Sequence, residues 1–231
     1  RCLHCCEESG PDKAWSDEMS REQALSLARQ IVDLGIAYVA FGVGEPMGSP
    51  YGWGIFEILA KGGVEIKIET NGLDLDESAC DRLKSMNIAC VQISLDGATA
   101  AVHEKLRAGS GYAPAWAALR RLLKRGLEPE LVFIPTRHNV SDAVTVYEQA
   151  AKEGIRTFVT GPMMRLGRAA HAWETLACSD EAWSEAVMGL KAAAAALKGP
   201  RLAVYPWGIQ VEMKTRAESP QSMVLVVPNG R

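Results

Sequence analysis

Short apolar runs recur along this chain at intervals of roughly 30 residues, and each is followed by an amphipathic stretch of helical period. That alternation constrains the fold more than any other feature of the sequence. Residues 36–41, 64–70, 88–95, 131–135 and 157–160 read as strands. Ser20 and Gln23 form a capping box, and Ala24, Leu25, Ala28, Ile31, Val32 and Leu34 make a helical stripe that stops at Gly35. Asp76 caps a helix that runs through Lys84. Residues 113–124 place Trp116, Leu119, Leu122 and Leu123 on one side and stop at Gly126. Asn139 or Ser141 is expected to cap a helix ending at Gly154, and an Ala-rich helix follows Ser179 and ends near Gly199 and Pro200. Repeated βα units imply a parallel sheet with helices outside it. Five units are visible, and a sixth strand is expected ahead of Arg1. A doubly wound sheet and a partial barrel both satisfy the pattern, and both put the site at the C-terminal ends of the strands.

After Pro200 the style changes. Residues 202–205, 209–213 and 223–227 read as strands joined by turns, and Pro228-Asn229-Gly230 is a hairpin turn signal. The expected division is a core over 1–199 and a C-terminal extension over 200–231, with both ends reading as truncated. A chain of 231 residues, 48% of them hydrophobic, buries a substantial core. Its net charge of −3 and the lack of a basic run argue against a nucleic-acid partner. No signal peptide and no apolar stretch of membrane-spanning length is present in the sequence. Six cysteines do not make a disulfide framework in a chain of this size. Cys80 and Cys90 read as buried free thiols and Cys178 as a bystander near a helix start, which implies a reducing, cytoplasmic setting.

Chemistry-bearing motifs sit at the starts of these units. The chain opens Arg1-Cys2-Leu3-His4-Cys5-Cys6, a C-x-x-C pair that alone fits half a zinc site, a redox pair or part of an iron–sulfur site. Gly42-Val43-Gly44-Glu45-Pro46 follows one strand, Thr70-Asn71-Gly72 the next, and Ser94-Leu95-Asp96-Gly97 the one after. Ser94 and Asp96 alternate along their strand and so share a face. No second C-x-x-C or His pair follows to complete a zinc site. His103, His138 and His171 read as surface or capping residues, and Trp53, Trp116, Trp173 and Trp207 are too scattered to form a stacking stripe.

In order and spacing, over roughly residues 1–170, these motifs resemble the radical S-adenosylmethionine (SAM) enzymes, and most closely the branch with a C-terminal SPASM or twitch extension. The resemblance implies an α/β fold, a partial (β/α)6 TIM-like barrel with a small C-terminal β-hairpin extension. It implies a [4Fe–4S] cluster held by three cysteines in a C-x3-C-x2-C loop. Cys2 and Cys5 would be the second and third ligands, and the first would lie two residues before Arg1. His4 would pack beside the cluster. A rival register through Cys2 and Cys6 puts the third ligand on Ser9, a poor iron ligand. S-adenosyl-L-methionine would chelate the open iron. Gly44, Glu45 and Pro46 would meet its amino group, with Val43 departing from the family's usual glycine. Asn71 would reach its ribose or carboxylate, Ser94 and Asp96 the ribose hydroxyls, and Arg107 the carboxylate. Thr136 and Asn139 would lie near ribose and substrate; Met163, Met164 and Leu166 would lie against the adenine. The implied chemistry is cleavage of SAM to a 5'-deoxyadenosyl radical that takes hydrogen from a substrate. That substrate is expected to be a ribosomally made peptide, with a sugar, nucleotide or tetrapyrrole as the alternative. The electron donor would be of the flavodoxin or ferredoxin kind, and an auxiliary cluster is possible beyond residue 231. The reading from another class is a non-catalytic zinc-binding α/β domain.

Overall fold

The computed structural model describes residues 2–7, 9, 10, 13, 16–42, 44–86, 88–205, 226, 229 and 230. Six strands form one sheet: β1 (Tyr38–Phe41), β2 (Glu65–Thr70), β3 (Cys90–Ser94), β4 (Glu130–Phe133), β5 (Thr157–Thr160) and β6 (Arg201–Val204). The helices are α1 (Arg21–Asp33), α2 (Gly52–Lys61), α3 (Glu77–Ser85), α4 (Ala100–Leu106), α5 (Tyr112–Lys124), α6 (Ala143–Lys152), α7 (Gly167–His171), α8 (Trp173–Leu176) and α9 (Asp180–Ala196). Every strand pair is parallel and the spatial order is β1-β2-β3-β4-β5-β6. A doubly wound sheet reverses its order at a switch point, and this one never does. Right-handed crossovers that always step the same way put every helix on one face, the geometry of a barrel wall.

The two faces of the wall differ in chemistry. Val39, Phe41, Ile66, Ile68, Val91, Ile93, Leu131, Phe133 and Phe158 point to the helices and enter the main core. Between them, Lys67, Glu69, Gln92, Glu130 and Thr157 alternate onto the inner face, as strand geometry requires. Lys67 Nζ lies 3.5 Å from Glu69 Oε1 and 3.5 Å from Glu130 Oε2, and Gln92 Nε2 donates to Glu130 Oε2 at 2.9 Å. The inner face is therefore a polar ladder. Three helix starts follow the sequence reading. Ser20 and Gln23 close their capping box, Asp76 accepts from Ala79 N–H, and Ser179 accepts from Ala182 N–H.

The strand expected at 202–205 is β6, and it pairs along β5 to continue the sheet. Three expectations need correcting. The segment after Asn139 begins as a 3-10 turn, Val140–Asp142, and α6 follows with no side-chain cap from Asn139, Ser141 or Asp142, because the Asn139 amide is turned inward. Cys90 is half-buried on the inner face, where burial pushes its thiol up to about 12. His103, expected at the surface, is fully buried. Cys80 is buried and unpaired, as read. The expected strand at 209–213, all of the one at 223–227 but Val226, Pro228 of the hairpin signal and Val43 lie outside the described residues.

Candidate active site

The cysteine loop is short and polar, and little holds it from within: Cys5 N–H reaches Cys2 O at 3.4 Å. Its position comes from the barrel. Leu3 N–H donates to Leu106 O at 2.8 Å, and Cys2 forms an antiparallel bridge with Arg107, just past the end of α4. On the other side Ala169 N–H donates to Cys5 O at 3.0 Å. Arg168 donates from Nη1 to Cys2 O at 2.6 Å and from Nη2 to Ser9 O at 2.9 Å. Gly167 sits so close that a Cβ there would lie 2.3 Å from Cys6 O, which explains why a glycine stands at the start of α7. Cys2 and Cys5 are half-buried, and burial pushes the Cys6 thiol up to about 11. Arg168 and Gly167 were not singled out from the sequence. Their signal was an adjacent Gly-Arg pair after a strand, visible only once the loop is placed.

Asp96 lies two residues past β3 and is fully buried. Its Oδ2 accepts from Arg107 Nε and from His4 Nε2, the latter at 3.0 Å, and its Oδ1 accepts from Ile134 N–H at 2.8 Å. Burial works against the charge, but Arg107 and His4 outweigh it and hold the carboxyl well below the usual carboxylate range. With its lone pairs engaged by protein donors, Asp96 is a tie between β3, β4 and the cysteine loop. Arg107 is likewise committed: Nε goes to Asp96, and Nη1 lies 3.6 Å from Cys2 Sγ. Asn139 Nδ2 donates to Asp96 O and to Ile134 O, both at 3.0 Å, and its Oδ1 accepts from Thr136 N–H at 2.6 Å and from Thr136 Oγ1 at 2.8 Å. Both side chains are fully buried, so Thr136 and Asn139 act as a knot behind the site. His103 Nδ1 accepts from Asp96 N–H at 3.1 Å, and burial lowers its pKa to about 4. It is thus a neutral prop under the same segment.

The turn after β1 differs. Glu45 is half-buried, and its oxygens accept from Thr70 Oγ1 at 2.5 Å, Asn71 N–H at 2.9 Å and Met47 N–H at 3.4 Å. Among the described residues no cation pairs with it. Burial raises its pKa, and the three neutral donors do not reverse that. Pro46 opens the 3-10 turn Pro46–Gly48 that Glu45 caps, and Gly44 adopts φ +74°. Asn71 Oδ1 accepts from Leu73 N–H at 2.7 Å, closing an Asx turn that leaves its amide nitrogen uncommitted to that turn. Gly72, at φ +83°, would place a Cβ 3.0 Å from Ala118 Cβ. Ser94 is half-buried at the end of β3. Met163 is buried, Met164 half-buried, and Leu166 is 47% exposed at the start of α7. The structure thus gathers Cys2, His4, Asp96, Arg107, Thr136 and Asn139 into one bonded cluster, whereas Glu45 and Asn71 form a separate one.

The site tests well against the implied cofactors. Two thiols stand on one anchored loop, and His4 Nδ1 is buried with no hydrogen-bond partner. Among the described residues no group of three or more His, Cys, Asp or Glu is arranged to hold a metal. A partly buried carboxylate without a cation fits a ligand ammonium.

Comparison with known proteins agrees. A family model described as Radical SAM superfamily matches residues 1–150. Mycofactocin maturase MftC of Mycobacterium ulcerans is 32% identical over 176 residues, covering 76% of this chain and 47% of the relative. Fe-coproporphyrin III synthase of Methanosarcina barkeri is 25% identical over 156 residues, covering 67% of this chain and 39% of the relative. The crystal structure of Streptococcus suis SuiB bound to precursor peptide SuiA superposes with a TM-score of 0.72 at 14% identity, covering 89% of this chain and 46% of that one. At 14% identity the superposition speaks to the fold, a partial barrel like this one. The chain spans about half the length, or less, of these relatives.

Proposed function

We propose that this chain, which belongs to the radical SAM superfamily, cleaves S-adenosyl-L-methionine and uses the product to modify a peptide. The family's [4Fe–4S] cluster and SAM, when bound, supply a 5'-deoxyadenosyl radical able to take hydrogen from unactivated carbon. Everything else falls to this chain's residues. Cys2 and Cys5 provide thiolates on a loop that the barrel clamps from both sides. Glu45 receives the SAM ammonium at the end of β1, with Asn71 beside it. The family match sets aside the zinc-binding reading.

One observation carries the SAM assignment: Glu45 is a partly desolvated carboxylate that three neutral donors orient and that no cation among the described residues neutralises. An ammonium beside it completes a charge-assisted contact, worth about 1.5–3 kcal/mol. The polar inner face, with Lys67 between Glu69 and Glu130, is the wall against which the substrate lies. A relative named a maturase and a neighbour solved with a precursor peptide support a peptide substrate. A relative named as a porphyrin synthase supports the small-molecule alternative. No helix among the described residues is long and apolar enough to cross a membrane. A cytoplasmic setting, a flavodoxin- or ferredoxin-type electron donor, and an extension beginning after β6 with auxiliary iron–sulfur ligands beyond residue 231 complete the proposal.

The test is anaerobic reconstitution of the full-length protein with iron and sulfide, reduction with dithionite, addition of SAM and chromatography of 5'-deoxyadenosine, beside a Cys5→Ala variant. Deoxyadenosine that disappears in the variant is expected. A protein with a full iron complement that neither binds nor cleaves SAM overturns the assignment. Faster turnover with a precursor peptide supports that substrate, and faster turnover only with a tetrapyrrole overturns it.

A further inference from the structure

We propose that Arg107 is a positioning residue for the iron–sulfur cluster: aimed by Asp96, its guanidinium donates a hydrogen bond to the Cys2 sulfur and raises the midpoint potential of the cluster that Cys2 helps to hold. The inference rests on the reading of Cys2 as a cluster ligand.

Three observations converge on it. First, the backbone of the cysteine loop and that of the segment after α4 are fixed to each other, through Leu3 N–H to Leu106 O at 2.8 Å and the Cys2–Arg107 bridge. The relation of guanidinium to sulfur therefore does not depend on a side-chain rotamer alone. Second, the guanidinium is oriented by a carboxylate that has no freedom to turn. Asp96 side chain is 0% exposed, its second oxygen is held by Ile134 N–H at 2.8 Å, and its backbone N–H is held by His103 Nδ1 at 3.1 Å. Third, Nη1 reaches the sulfur at 3.6 Å, hydrogen-bond range for a sulfur acceptor, while the Arg107 side chain is only 11% exposed. A guanidinium is planar and its donors keep a fixed fork, so binding Asp96 through Nε fixes where Nη1 points.

The consequence is electronic. Hydrogen bonds to the sulfurs of an iron–sulfur cluster stabilise the electron-rich reduced state and raise its potential. Asp96 neutralises the charge of Arg107, so the long-range field of the pair largely cancels. What remains is the short-range N–H dipole on one sulfur.

The experiment needs no activity. The full-length protein is grown with 15N-guanidino-labelled arginine, reconstituted with iron and sulfide, reduced, and examined by pulsed EPR without SAM. The expected result is a 15N coupling to the cluster spin that is lost in Arg107→Lys. Arg168, which binds the Cys2 carbonyl, stays labelled in both and serves as the internal control. An EPR-monitored redox titration is expected to place the midpoint of Arg107→Lys below that of the parent at equal iron content. No arginine coupling in fully loaded parent protein overturns the proposal, and that result stands even if the variant does not fold. An unchanged midpoint in a fully loaded variant overturns it as well. A parent protein that takes up no iron instead overturns the functional reading beneath it, a distinguishable failure.

Discussion

Two carboxylates stand at the mouth of the same barrel wall, and their electrostatics run in opposite directions. Glu45, after β1, is held by a hydroxyl and two backbone N–H groups, and its pKa is raised. Asp96, after β3, is more deeply buried yet has its pKa lowered. Burial penalises both anions. The difference lies in the partners: neutral dipoles compensate a desolvated charge only partly, whereas Arg107 and an imidazole compensate it fully. Asp96 is thereby a finished structural element and Glu45 an unfinished one. An acidic residue in a family motif can belong to either kind, and only the partners distinguish them.

The sharpest way to break this comparison is to neutralise the finished carboxylate. Asp96→Asn leaves Arg107 buried without its counterion, and removing one partner of a buried pair costs about 3–5 kcal/mol. Thermal unfolding is expected to fall by roughly 10 °C, at about 2–4 °C per kcal/mol for a chain of this size. Cluster loading is expected to drop as well, because His4 and Cys2 lose their anchor. A melting temperature within a degree or two of the parent would contradict the assignment of Asp96 as a structural tie.

His103 supports the same segment and adds a pH dependence. Burial lowers its pKa from 6.5 to about 4, so the folded state excludes a proton that the unfolded chain accepts. Stability contributed by the neutral ring is complete above pH 6.5 and is lost as the pH falls toward 4, up to roughly 3 kcal/mol. Denaturant midpoints measured across that interval are expected to decline for the parent and to flatten for His103→Gln. Parallel slopes in the two proteins would assign the loss to other groups.

Much of this was legible in the sequence. The βα rhythm, the Ser20, Asp76 and Ser179 helix starts and the motif-bearing strand ends are local patterns, fixed by spacing within a turn or a strand. Partial barrel and doubly wound sheet were not separable, because strand order depends on contacts between residues far apart. The roles of Asp96, Arg107 and Asn139 were not legible for the same reason. Asp96 meets Arg107, eleven residues on, Ile134, thirty-eight residues on, and His4, ninety-two residues back. The motif identified the residues, and only the folded neighbourhood said whether their donors and acceptors were still available. Arg168 was missed because its targets are backbone carbonyls of the cysteine loop, which leave no trace in the sequence.

Neutralising the unfinished carboxylate is expected to do the reverse of Asp96→Asn. In Glu45→Gln the folded protein loses a desolvated charge but also one acceptor for its three donors, and the two changes nearly offset. Because the folded-state pKa of Glu45 is raised, its charged form detracts from stability above that pKa, so nothing is lost by removing it at neutral pH. Stability is expected to stay within about 1 kcal/mol of the parent. SAM affinity, measured by calorimetry on the loaded protein, is expected to fall about 10- to 100-fold, the range for a lost charge-assisted contact. Unchanged affinity would move the ammonium site elsewhere.

The smallest effect isolates burial from chemistry. Arg156 and Glu128 form the same arginine–carboxylate contact as Arg107 and Asp96, but their side chains are 71% and 59% exposed. Water already solvates both groups, and salt screens what attraction remains. Arg156→Ala is therefore expected to lower stability by less than about 1 kcal/mol, and by less still in 1 M salt. The buried pair should behave differently, with the Asp96→Asn loss persisting at high salt because ions do not reach it. If Arg156→Ala proved as costly as Asp96→Asn, or if salt removed the Asp96→Asn loss, desolvation would not be what sets the two carboxylates at the barrel mouth apart.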